Sequence, residues 1–366
     1  MDNNNNETLS ILQFSILVYV FITGSAVVIG IGGEAKQNAW IAIGIATVCG
    51  MLLFRFYLWL LESFNQKNLL LLIETCFGKW VGQTIIVIYI FYFFYIAARV
   101  LRDFGELMVT TIYRTTPIEV VEILLMIVVA YVLKKGIEVL GRTSEVFIPY
   151  VIIFMIFIGL GVLITGELHF KNLYPILGDG VRPISKAIFP TLITFPFGEL
   201  IVVTLLLTNI TFKKKLNKIT MLAIGVSGIT LIYTSIIQVG VLGVYIKERT
   251  SFPLLSAARE ISLMSFIERV DLIIVFTVMF GIIVKVSLFF YGGLRGLEHI
   301  FNIPYRKLVW PFALQLPFFS IVISQNVVEH VNEGLVIVPK YLHLPLQFGI
   351  PVLMAAILLT KKRLQK

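Results

Sequence analysis

Apolar residues run along this chain in stretches of about 20, broken by short polar connections. That length crosses a hydrocarbon core as a helix. The pattern predicts ten spans, at about 10–32, 39–62, 83–110, 118–134, 145–165, 184–209, 218–245, 270–298, 306–326 and 341–360. The expected fold is therefore a single all-α polytopic membrane domain.

Two spans are not uniform. The sixth reads PTLITFPFGELIVVTLLLT over Pro190–Thr208 and holds Phe195-Pro196-Phe197-Gly198-Glu199 at its middle. Pro196 lacks an amide proton and clashes with the preceding turn, and Gly198 tolerates backbone angles that other residues avoid. The first span carries Thr23-Gly24-Ser25 near its centre, with Gly30 and Gly32 beyond. A lone glycine in a membrane helix is usually a packing notch. Two interrupted spans, each opening one half of five, instead point to an inverted-repeat architecture with its ligand site at the breaks. The repeat is read from layout alone, since the halves share no convincing residue identity.

Composition supports the membrane reading. The chain has 366 residues, of which 58% are hydrophobic and 14% charged, and mean hydropathy is +0.93. A soluble domain carries roughly a quarter of charged residues. The net charge of +9 could suggest nucleic acid. The basic residues nevertheless cluster in short loops. With the N-terminus inside, 16 lie in inner loops and the C-terminal tail and 10 in outer loops, including the run Lys213-Lys214-Lys215 on the inner side. Both termini are then cytoplasmic and no nucleic-acid partner is expected. The polar N-terminus, MDNNNNETLS, has no basic n-region, so the first span is expected to be retained. Cys49 lies in a predicted span and Cys76 in a predicted inner loop, so a disulfide between them is not expected.

Charges inside spans mark candidate chemistry, because charge at that depth is costly. Glu199 is one; its alternative role is to cap the half-helix that follows the break. Lys285 is another. It could stand in for a bound cation, pair with Glu199, or snorkel its long stem toward the interface. In the third span Arg99, Arg102, Asp103 and Glu106 share one helix face, with Arg99–Asp103 and Arg102–Glu106 in i,i+4 register. The structural reading is a self-neutralised polar seam, and the functional alternative is an ion pathway or gate near the outer end. Tyr92 and Tyr95 lie below that seam, within reach of a central site. A small zwitterion between the breaks would put its carboxylate near Thr23, Gly24 and Ser25. Its ammonium would face carbonyls around Phe195–Phe197, or Glu199 beside Gly198. Phe197 and Tyr95 would enclose its side chain. The polar, amphipathic stretch Lys247–Arg269 is too polar to cross and could cap the cavity, or be an ordinary surface loop.

No metal-ligand spacing, cofactor motif, HExxH, GxSxG or phosphate loop occurs, and an enzyme is not expected. His169, His299, His330 and His343 are scattered and read as loop or interface residues.

Short segments carry a family resemblance. They are Gly136-Ile137-Glu138-Val139-Leu140-Gly141-Arg142-Thr143-Ser144-Glu145, Phe197-Gly198-Glu199, Glu268-Arg269-Val270-Asp271, Leu101-Arg102-Asp103-Phe104 and Thr115-Thr116-Pro117. By the order of these segments along the chain and their positions relative to the spans, the chain resembles the B subunit of the nutrient germinant receptors of endospore-forming bacteria. That family is a branch of the amino acid–polyamine–organocation transporter superfamily. The resemblance implies ten helices in a LeuT-like 5+5 inverted repeat with helices 1 and 6 broken, in the inner membrane of the spore. It also implies a nutrient ligand, typically an amino acid, and work alongside an A subunit and a C lipoprotein. Members are thought to sense their ligand rather than accumulate it. A proton- or ion-coupled amino-acid transporter, or an ion or water channel within a larger complex, are the competing readings.

Overall fold

The structure, a computed structural model, describes residues 7–65, 68–210, 215–260, 271–324 and 326–364. The basic residues Lys213 and Lys214, most of the Glu268–Asp271 segment and the second half of the 247–269 stretch lie outside them.

Helices account for nearly all of the described chain, and the reasons are local. Ser10 caps α1 (Ile11–Thr23): the Gln13 amide donates to Ser10 Oγ and the Ser10 amide to Gln13 Oε1, both at 3.1 Å. At Gly24 (φ 0°, ψ −110°) the helix stops, and a single turn, α2 (Ala26–Ile29), completes the span. Gly30 and Gly32, both left-handed, turn the chain into a short 3₁₀ stretch (Gly33–Asn38) and then α3 (Ala39–Ser63). The loop after it contains a further helix, α4 (Leu69–Phe77), capped by Asn68. That helix was not expected from the sequence, because its nine residues are too few for a span. Then follow α5 (Lys79–Thr111), α6 (Ile118–Lys135) and α7 (Ile137–Thr165).

The sixth span opens with α8 (Arg182–Lys186) and widens into a π-helical segment (Ala187–Phe197). It then tightens into a 3₁₀ run (Gly198–Asn209). Its two non-helical residues are Phe189 (φ −118°, ψ 127°) and Phe195 (φ −122°, ψ 117°), and each precedes a proline. The proline ring crowds the backbone of the residue before it and keeps that residue in extended geometry. The chain continues through α9 (Leu216–Arg249), α10 (Pro253–Arg259), α11 (Asp271–Phe301) and α12 (Tyr305–Ile323). The last helical run begins with α13 (Val327–Asn332), passes through π-helical turns at Glu333–Ile337 and Pro339–Gly349, and ends in α14 (Ile350–Leu364).

Among the described residues, nine helical segments are long and apolar enough to cross a membrane. The expected fourth span, α6, is helical too, but Glu119, Glu122, Lys134 and Lys135 within its 18 residues make it too polar to count among them. The first and sixth spans form the centre of the bundle. Some 78% and 89% of their apolar windows are buried, against 28% for α12 at the rim. The two interrupted spans are therefore walled in by protein, the setting in which broken backbone is tolerated at membrane depth.

Candidate functional site

The centre of the site is an ion pair. Lys285, on α11, reaches Glu199, one residue past the start of the 3₁₀ run, at Nζ–Oε2 2.7 Å. The two side chains are 0% and 2% exposed. Neither atom makes a well-directed hydrogen bond to any other group. Lys285 therefore does not snorkel, and Glu199 makes no cap to the half-helix it opens. The Lys285 ammonium lies 4.3 Å from the centre of the Phe195 ring and 5.5 Å from that of Phe21. The lysine stem passes the first break, since a methyl group placed on Gly24 would sit 3.3 Å from Lys285 Cδ. Glycine at 24 and 281 also lets α11 approach the break closely: a Cβ on Gly281 would lie 2.8 Å from the Gly24 Cα.

A second layer comes from the last helical run. His343 Nε2 lies 3.9 Å from Glu199 Oε1, and its Nδ1 is 2.8 Å from the Tyr92 hydroxyl. Gln347 donates to that same hydroxyl at 2.8 Å, while Tyr57 on α3 donates to the Gln347 carbonyl at 2.8 Å. Gly198 is needed where the sixth and last spans meet, because a Cβ there would fall 2.1 Å from Gln347 Oε1.

Above Glu199 is a small cavity of about 40 Å³, whose lining includes Phe195, Glu199, Arg99, Asp103, His330 and His343. Its roof is the polar face of α5. Arg99 pairs with Glu333 at 3.2 Å and donates to the His330 carbonyl, and Asp103 Oδ1 accepts from His330 Nε2 at 2.8 Å. Arg102–Glu106 forms within the helix at 2.8 Å. The expected Arg99–Asp103 pair does not form. Both residues reach across to α13 and the turn after it, where partners on a second helix are better placed than one on their own.

The remaining sequence-predicted residues divide. Ser25 is fully buried and its hydroxyl has no partner, whereas Thr23 turns its hydroxyl back onto the Tyr19 carbonyl at 2.9 Å. Pro196 is buried. Phe197 faces away from the cavity, against α3, where a Cβ on Gly50 would meet its ring carbon at 2.6 Å. Tyr95 is turned to Arg99 and packs edge-on to Phe319, 6.5 Å between centres. Neither Phe197 nor Tyr95 lines the cavity, because each ring is packed against another element.

The reading of all four histidines as loop or interface residues fails for His330 and His343, which are each 2% exposed and lie in the site. The polar stretch Val327–Gly334 looked like a loop, yet it is helical. A cluster of His330, Glu333, His343 and Gln347 at three-, ten- and four-residue steps was the signal available in the sequence.

Comparison with known proteins places this geometry. The model of a family described as "Spore germination protein" matches residues 8–328. The chain belongs to that family. Spore germination protein KB of Bacillus subtilis (strain 168) is 33% identical over 97% of this chain and 95% of its own length. Spore germination protein XB of Bacillus anthracis is 23% identical over 70% of each. A crystal structure of MhsT in complex with L-phenylalanine superposes with a TM-score of 0.71, covering 98% of this chain and all of MhsT at 11% identity. At that identity the likeness shows the fold, a LeuT-type helical arrangement, and nothing of the ligand.

Proposed function

We propose that this chain is the ligand-sensing membrane subunit of a spore germination receptor, and that its ligand is a small zwitterionic nutrient, an amino acid. The ligand sits between the interrupted first and sixth spans, its ammonium at Glu199 and its carboxylate near the Gly24–Ser25 break. The observation that carries this reading is the fully buried Glu199–Lys285 pair between the two breaks, beside a cavity. Such pairs contribute little net stability, because desolvation offsets their attraction, so their placement asks for a functional reason. Membership of the germination family supports the receptor assignment, and the LeuT-type fold supports a site between the two interrupted spans.

The receptor is placed in the inner membrane of the spore with both termini on the core side, acting with an A subunit and a C lipoprotein. Binding signals only if it favours one arrangement of the first and sixth spans over another. The Arg99–Glu333 and Asp103–His330 bridges serve as the outer closure of that arrangement.

The test is a dose response. In spores carrying Glu199→Gln in place of the wild-type chain, the germination response to amino acids should be lost while the protein is still present in the membrane. A wild-type dose response in that variant would remove Glu199 from the mechanism. The second reading, coupled amino-acid transport, is favoured by the titratable side chains Asp103, His330, His343 and Glu199 that line one cavity. Reconstituted vesicles separate the two: binding without gradient-driven accumulation is expected of a sensor.

A further inference from the structure

The Glu199–Lys285 pair is closed upon itself. An ammonium has three donors, yet among the described residues that of Lys285 meets a single carboxylate oxygen, at 2.7 Å, makes no other hydrogen bond, and lies against the faces of Phe195 and Phe21. Beside it, at the first break, the Ser25 hydroxyl is fully buried with no partner. The cavity adjoining Glu199 measures about 40 Å³, room for a few waters, whereas sites for small molecules run to several hundred. The side chains that would bind a zwitterion therefore fill the place where it would lie.

We infer that Lys285 is a tethered stand-in for the ligand: an incoming amino acid's ammonium displaces it from Glu199, and the freed Lys285 takes the amino acid's carboxylate. This rests on the sensing reading above and deepens it, by naming the second binding residue and the reason both ligand charges are required. The exchange turns one ion pair into two and brings no net charge into the interior. The Ser25 hydroxyl then finds an acceptor in the same carboxylate.

A ligand with an ammonium alone would leave Lys285 unpaired among apolar groups, and one with a carboxylate alone would leave Glu199 so. Each loses the exchange through an uncompensated buried charge. The displacement also has a mechanical consequence. Because the lysine stem lies against Gly24, where even a methyl group would be 3.3 Å from Cδ, its swing must move against the break in the first span. Ligand identity is thereby coupled to the helix whose rearrangement would signal.

The experiment uses the full chain in lipid nanodiscs, titrated calorimetrically with each standard amino acid. Every binder is compared with its decarboxylated and its deaminated analogue; for alanine these are ethylamine and propionate. The wild type should prefer the amino acid to either analogue by at least about tenfold. In the Glu199→Gln/Lys285→Met double variant, whose site is neutral and leaves no charge stranded, that preference should vanish. In Lys285→Met alone, the decarboxylated analogue should gain about tenfold over wild type, because its ammonium fills the vacated position at Glu199. Should that single variant fail to fold, the double variant still decides. An amino acid bound equally by the wild type and the double variant overturns the exchange while leaving a binding site in place. No binding by any amino acid or analogue overturns the sensing reading, and the exchange with it.

Discussion

Removing one charge of the Glu199–Lys285 pair and removing both are different perturbations. Lys285→Met alone strands a carboxylate in the middle of the bundle and should cost about 3–5 kcal/mol, whereas the neutral double variant should unfold close to wild type. Denaturant or thermal unfolding in detergent measures the difference, and equal stability of the two variants would contradict the pairing. Gly198 makes a second residue-scale prediction. A Cβ there would fall 2.1 Å from Gln347 Oε1 and 3.1 Å from the Ile193 carbonyl. Gly198→Ala should therefore cost about 1–3 kcal/mol and weaken the ligand response by displacing the amide that holds Tyr92. Glu199 was legible in the sequence as a charge at mid-span. That Lys285 is its partner was one of three open alternatives, since nothing along the chain ties position 199 to position 285. The same holds for Phe197 and Tyr95. Residue type and depth suggested pocket walls, and only the rotation of each helix shows their rings turned elsewhere.

Among elements, α5 shows how far periodicity reaches. The i,i+4 spacing put Arg99, Arg102, Asp103 and Glu106 on one face, and the structure keeps them there. It leaves Arg102–Glu106 within the helix but commits Arg99 and Asp103 to Glu333 and His330 of the last helical run. Those bridges close the roof of the cavity, so loosening them should open it. Arg99→Ala should raise the rate at which a membrane-impermeant thiol reagent labels a cysteine placed at Val331, a cavity-lining position, in a background lacking Cys49 and Cys76. An unchanged rate would show that the bridges do not govern access. The last helical run itself was the least legible element. Its first turns, Val327–Gly334, are polar enough to resemble a loop, yet Asn326 caps them by accepting from the Glu329 amide at 2.9 Å. The two prolines of the sixth span were informative for the opposite reason: the constraint on the preceding residue acts locally and needs no partner.

Across the whole molecule, the end of the bundle opposite the roof is held by the N-terminal segment. Glu7 accepts from the Tyr305 hydroxyl at 2.7 Å, from Arg306 Nε at 2.9 Å and from the Ile137 amide at 3.4 Å. The Leu9 amide donates to the Asn209 carbonyl at 2.8 Å, beside a bridge between Leu9 and Ile210. One short strap thus joins the first, fifth, sixth and ninth spans. Glu7→Ala should lower stability by about 1–2 kcal/mol, the loss of charged hydrogen bonds discounted for the partly exposed Arg306. It should also make the start of α1 exchange amide hydrogens faster, which mass spectrometry can follow.

The all-helical membrane fold and the two interrupted central spans followed from the sequence by itself, as did family membership and the carboxylate at mid-span. Hydropathy, proline and glycine act on the residues next to them, and buried charge announces its own cost, so all of these can be read in one dimension. The partner of Glu199, the entry of His330 and His343 into the site, the crossing of Arg99 and Asp103 to another helix and the small size of the cavity were decided only by the tertiary structure. Each depends on the relative height and rotation of helices far apart in the chain, where a shift of one residue turns a side chain by about 100° and carries it from the cavity to the lipid.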